Sequence, residues 1–143
     1  MKKKKIFILA LTAVAIYMAI FLIPGKNDRP EVSEPEIISA STAGERIDYF
    51  ALHGWEVEEI AGKDIVIPSE FSEAYEEYAV FQDRQNLPLR NYAGKNARLY
   101  VYDVRNFRPE NKKMSAELLV CEDTVIASMV YSEDGGSIRL SVS

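Results

Sequence analysis

The chain has 143 residues, 48% of them hydrophobic and 27% charged, with a formal net charge of −5 and a single cysteine. The charge is unevenly spread: Lys2 to Lys5 open the chain, whereas residues 27–143 carry 12 basic and 22 acidic side chains, a net of −10. So acidic a segment excludes a nucleic-acid face, and one cysteine excludes an internal disulfide.

Ile6 to Ile23 run for eighteen residues without a charge. At about 1.5 Å of rise per residue they reach roughly 27 Å, close to the ~30 Å hydrocarbon core of a bilayer. Residues 1–5 are therefore expected to be a cytoplasmic basic start and residues 6–23 a single transmembrane anchor, with the lysines holding the N-terminus inside. A cleaved secretory signal would share the basic start, but its apolar core is typically about 7 to 15 residues long and is followed by a small-x-small pair. Here Ala13-x-Ala15 comes too early, and Phe21-Leu22-Ile23-Pro24 closes the run. The expected location is the cell membrane, single-pass, with the C-terminal domain outside.

Residues 24–40 hold three prolines (Pro24, Pro30, Pro35) and four acids. Such a stretch has too few apolar groups to fold and is expected to be a tether, reaching on the order of 50 Å if extended as polyproline II. Residues 41–143 then form one extracytoplasmic α+β domain of ordinary size.

Thr42-Ala-Gly-Glu45 has the form of a capping box, in which threonine accepts from the Glu45 amide and the carboxylate returns to the threonine amide. Ile47, Phe50 and Ala51 continue at helical spacing, predicting a helix over roughly 43–53 that Gly54 ends in the left-handed conformation. Trp55 to Glu58 alternates, Ala61-Gly62 offers a turn, and Ile65 to Ile67 resumes an apolar run, so a β-hairpin is expected. Ser69 can cap a second helix that presents Phe71, Ala74, Tyr75, Tyr78 and Gln82 on one face and ends near Asn86. Strands are expected over 97–107, 114–121, 125–131 and 137–142, joined by tight turns at Glu122-Asp123 and at Glu133 to Gly136. The order is helix, hairpin, helix, four-strand meander: an α+β fold with two helices packed on one face of an antiparallel sheet.

Chemistry-bearing patterns are sparse. His53, the only histidine, stands where it can cap the first helix, and Cys121 lies in the apolar run Leu118 to Cys121 as a small buried hydrophobe. No Gly-x-Ser-x-Gly, Ser-x-x-Lys, Cys-x-x-Cys or His-x-x-x-His occurs, and Glu133 to Ser137 lacks the alternating ligands of a calcium loop. No cofactor or metal is expected. The acids at Glu56, Glu58 and Glu59, at Glu73, Glu76 and Glu77, and at Glu122-Asp123 are read as solvated. Tyrosine and tryptophan combine apolar area with a polar tip, and Trp55, Tyr92, Lys95, Tyr100 and Tyr102 form the candidate binding surface.

The order of His53-Gly-Trp-Glu-Val57, Ile67-Pro68 with Phe71, Tyr75 and Tyr78, then Gln82, Gln85 and Leu89, resembles the domain of unknown function 4830 family of extracytoplasmic proteins from clostridia-like bacteria. Tyr92-x-Gly94-Lys95, Tyr100-x-Tyr102-x-Val104-x-Asn106, and Leu118 to Val120 with Val125-Ile126 continue the resemblance over about 100 residues. That pattern favours Asn where this chain has Ala79 and Glu117, Gly-Phe-Asp at Asn86-Leu87-Pro88, and Gly-Gly-Asp at Ala127-Ser128-Met129. The resemblance implies no enzymatic activity and supplies no catalytic residue. The expected role is a non-catalytic binding module at the envelope, with an envelope protein or a cationic partner. The alternatives are an envelope hydrolase using a carboxylate pair that includes Glu56 or Glu117, or a sensor with a tyrosine-lined pocket of at least roughly 300 Å³.

Overall fold

Thr42 starts the first helix of the computed structural model, which describes residues 35–143. The expected basic start, anchor and residues 24–34 of the tether lie outside the described residues. Among the described residues no helix is long and apolar enough to cross a membrane.

Helix α1 covers Ala43–Leu52, with the Glu45 amide donating to Thr42 Oγ1 at 3.1 Å. The return half of the expected box differs: the Glu45 carboxylate takes the Ser41 and Thr42 hydroxyls at 2.9 and 3.4 Å. His53 is the C-cap and Gly54 follows at φ 86, the left-handed turn that glycine tolerates.

The expected hairpin is absent; Val57–Val66 is one strand, β1, paired along its length with β2, Asn96–Val104. Ile60 is an extra residue at a bulge between Glu59 and Ala61, which turns the alternation by one without reversing the chain. Gly62 serves close approach there rather than a turn: a Cβ would meet Tyr100 Cδ1 at 3.3 Å and Arg98 Nε at 3.4 Å.

Helix α2 spans Glu73–Arg84 and is capped by Ser72, not Ser69, whose hydroxyl accepts from the Tyr75 amide at 3.2 Å. Phe71 tucks beside it, its ring 4.8 Å from that of Tyr75. Short 3-10 turns at Leu89–Tyr92 and Pro109–Asn111 flank β2. Strand β2 stops at Val104, short of Phe107, because the Asn106 side chain turns back to bind the Gly54 carbonyl at 2.8 Å and the Glu56 amide at 3.0 Å. Strands β3 (Met114–Cys121), β4 (Thr124–Ser132) and β5 (Arg139–Leu140) complete a five-stranded antiparallel sheet in chain order.

The two helices lie on opposite faces, not on one. Tyr102, Ala116, Leu118 and Val130 share a core with Tyr49 and Phe50 of α1, whereas Ala97, Leu119, Cys121 and Ala127 share another with Ala79 of α2. Both alternations of β3 and β4 carry buried apolar side chains, as strands covered on both faces require.

The outer edge of β4 is closed in three ways. The Val125 amide donates to the Ile38 carbonyl at 2.9 Å, so the last residues of the expected tether join the fold and Ala40 is buried. Further along, α2 substitutes side chains for a strand: Gln82 Oε1 accepts from the Ser128 amide at 2.9 Å and Gln85 Nε2 donates to the Ser128 carbonyl at 2.8 Å. Gln85 Oε1 also takes the Val142 amide at 2.8 Å, so β5 is shorter than the expected 137–142. Beyond it, Leu140 pairs with Val130. Replacing Gln85→Met keeps the length of the side chain and removes its bonds to the Ser128 carbonyl and the Val142 amide; leaving buried backbone groups unpaired costs about 1–3 kcal/mol. Chemical denaturation should show that loss, together with faster hydrogen exchange at the Val142 amide.

Candidate functional site

The register of the sheet lays out the α2 side in rows. Leu99, Leu119 and Ala127 stand side by side, then Val101, Glu117 and Met129, then Asp103, Ser115 and Tyr131. Helix α2 has twelve residues, about 18 Å of length, and its C-terminal turn is drawn to the β4 edge by Gln82 and Gln85. It covers the first row and leaves Glu117, Met129 and Tyr131 of the next two along a groove.

That groove has a volume of about 360 Å³ and is lined by Tyr78, Glu117, Met129, Tyr131, Glu133 and Arg139, among others. It adjoins a second hollow of about 750 Å³ that shares Tyr78, Met129 and Arg139 and is walled by Glu73, Glu76 and Glu77 of α2. Tyr75 and Tyr78 meet edge to face, with ring centroids 5.7 Å apart.

Glu117 is the chemical centre. Burial pushes its carboxyl above the usual range, while the Tyr78 hydroxyl and the positive charge of Arg139 pull it back. Tyr75, Tyr78 and Tyr131 are all raised, first by burial and then by the charge of Glu117, so three phenols gather around one carboxylate. Among the described residues Glu117 has no cationic side chain in ion-pair contact.

The rim is built more rigidly. Asp134 accepts from Ser132 Oγ at 2.5 Å and Ser137 Oγ at 2.8 Å, and Lys112 Nζ stands 3.1 Å away. These bonds hold the Asp134 carboxyl well below the usual range and fix the β4–β5 turn. Gly136, at φ 74, leaves room for the Arg139 guanidinium, whose Nε donates to the Gly136 carbonyl at 3.2 Å. Glu133 is occupied by Ser115 Oγ at 2.9 Å and faces Lys113 at 3.5 Å.

The residues expected to form the binding surface do not converge. Trp55 donates its indole N–H to the Val142 carbonyl at 2.9 Å and meets Phe107 edge on. Tyr92 packs beneath α2 with Lys95 Nζ 5.2 Å from its ring, and Lys95 pairs with Glu122 at 2.9 Å. Tyr100 lies on the α1 side under the Arg46 guanidinium, 3.8 Å from its centroid, and Tyr102 is fully buried with its hydroxyl donating to Glu59 at 2.9 Å. Arg46 is bound to the same carboxylate at 3.0 Å, so this cluster ties α1 to β1 and β2. Tyr78 and Tyr131 line the groove instead, with Tyr75 packed edge to face against Tyr78. A signal for them exists in the sequence: Glu117 puts a charge on the second face of β3, beside Leu119 and Cys121, and the aromatics of α2 recur at helical spacing.

Of the acids considered for a carboxylate pair, Glu117 lines the groove with Glu133, whereas Glu56 is exposed and its amide donates to Asn106. His53 packs edge on against Tyr49, with ring centroids 5.3 Å apart. Cys121 is buried and its S–H donates to the Asn96 carbonyl at 3.2 Å. Among the described residues no group of three or more His, Cys, Asp and Glu side chains is placed to hold a metal ion. No family model, no curated protein and no solved structure matches the chain.

A carboxyl whose folded-state affinity for protons is raised favours folding when protonated and opposes it when ionised. Stability should therefore fall as pH rises from the unfolded carboxyl range through the raised folded one. Glu117→Gln removes that ionisation, so thermal unfolding at neutral pH should occur at a higher temperature than in the parent. The gap should close in acid, where Glu117 is itself neutral.

Proposed function

We propose that this chain is a single-pass, membrane-tethered extracytoplasmic domain that acts by binding, and that the groove over Glu117 is where it binds. The observation that carries the reading is the groove itself. A carboxylate is kept partly desolvated on a sheet face where an apolar side chain would be more stable, beside the two phenols and the methionine that line the groove with it. Groups held at a cost to stability, in a concave site with several convergent polar atoms, are the usual mark of a working surface. Its volume falls in the range that a small ligand fills. The apolar run at residues 6–23 and the lysines before it support the station outside the membrane. Membership of the domain of unknown function 4830 family belongs to the same reading.

Two measurements test it. Protease added to intact cells should digest a C-terminal tag on the full-length chain, and a tag protected until the cells are opened would contradict the external station. Hydroxyl-radical labelling of the full-length chain, with and without envelope extract, should show protection at Met129 and Tyr131 but not at Trp55 or Phe107. Equal labelling at all four would contradict binding in the groove.

A further inference from the structure

The walls of the groove specify the charge of what it takes. A neutral apolar guest would strip the remaining water from Glu117 and leave its charge uncompensated, and an anion would meet it directly. A cation does the reverse: it neutralises the carboxylate in a groove lined by the aromatic rings of Tyr78 and Tyr131 and the polarisable thioether of Met129, side chains that favour a cation over an anion. The surroundings agree, since Glu73 and Glu77 extend the acidic wall into the adjoining hollow. Within the groove itself Glu133 is already bound by Ser115, which leaves Glu117 as its acid open to a guest, while Glu76 in the adjoining hollow is bound by Arg90 at 2.6 Å. The opposing charges are Arg139, positioned by the β4–β5 turn rather than by an ion pair with Glu117, and Arg84 of α2, which lines the adjoining hollow but not the groove.

We propose that the groove over Glu117 binds a small organic cation of the alkylammonium class, seated between Tyr78 and Tyr131 with its charge on the Glu117 carboxylate. This rests on reading the groove as the binding site. Arg139 then acts as a rim charge that weakens and tunes the affinity, the opposite of what it would do for an anionic ligand.

Calorimetric titration of the full-length chain in non-ionic detergent, at mildly alkaline pH and low salt, tests the class with choline, with its neutral isostere 3,3-dimethylbutan-1-ol, and with acetate. Choline should bind saturably, and the neutral isostere about tenfold or more weakly, the loss expected when a desolvated charge goes unpaired. Glu117→Gln should weaken choline by about tenfold, whereas Arg139→Gln should tighten it by about threefold because a like charge leaves the rim. Thermal melts of each variant show whether the fold is retained, and Tyr131→Phe, which keeps the ring, should hold affinity within about twofold. Equal binding of choline and the isostere, acetate binding that Arg139→Gln abolishes, or no choline binding at millimolar concentration would each overturn the cation. Protection of Met129 and Tyr131 by envelope extract in the labelling experiment, with choline silent, would remove the cation class and leave the binding role standing. Loss of both would remove both.

Discussion

The arrangement of this domain depends on two glutamines at the end of α2. Gln82 and Gln85 present an acceptor and a donor to the Ser128 backbone as a neighbouring strand would, on an edge that β5 is too short to cover. Gln82 is fully buried, so its position is not negotiable: the helix must cross the sheet where those bonds can form. Gln85 then reaches the Val142 amide, and Trp55 takes the carbonyl of the same residue, which ties the C-terminal segment to both helices' ends. The direction of α2, the cover over the second sheet face and the length of β5 all follow from that pair.

From this placement comes the groove. A helix pinned at the β4 edge shelters Leu99, Leu119 and Ala127 but cannot extend over Val101, Glu117 and Met129. The sheet answers with a carboxylate at the centre of the uncovered rows rather than another leucine. Such a group is partly desolvated by Tyr75, Tyr78 and Tyr131 yet has no ion-pair partner among the described residues, an arrangement that opposes folding and suits recognition. The α1 face shows the contrasting solution. There Glu59 is matched by Arg46 and the Tyr102 hydroxyl, and the cluster serves cohesion.

Much of the fold is legible where local chemistry is decisive. Thr42 and Gly54 bound α1, and Glu122-Asp123, both at positive φ, make the tight turn between β3 and β4. What sequence reading misses is long-range. Ala61-Gly62 has the composition of a turn, but Gly62 is demanded by the side chains of Arg98 and Tyr100 on the neighbouring strand, a contact that no local pattern encodes. Ser69 has the chemistry of a cap, but the helix starts three residues later at Ser72, where Phe71 packs against Tyr75. The opposite placement of the helices was readable from Leu119, Cys121 and Ala127, which fill the second alternation of their strands. The candidate groove is hardest of all to read, because register decides it. Trp55, Tyr92, Lys95, Tyr100 and Tyr102 are adequate in chemistry but scattered over the two faces and both ends of the sheet. Glu117 stands among the acids and Tyr75, Tyr78 and Tyr131 among the aromatics of the sequence, and only the pairing of β3 with β4 brings them together.

The central physical claim is that Glu117 is partly desolvated in an open groove, with Arg139 nearby but no ion-pair partner among the described residues. Carbon-13 observation of its side-chain carboxyl during a pH titration of the full-length chain addresses this without any ligand. A midpoint above that of an ordinary glutamate is the predicted result. A midpoint at or below the ordinary value would mean that a solvated or ion-paired carboxylate sits there, and would contradict the account of the groove.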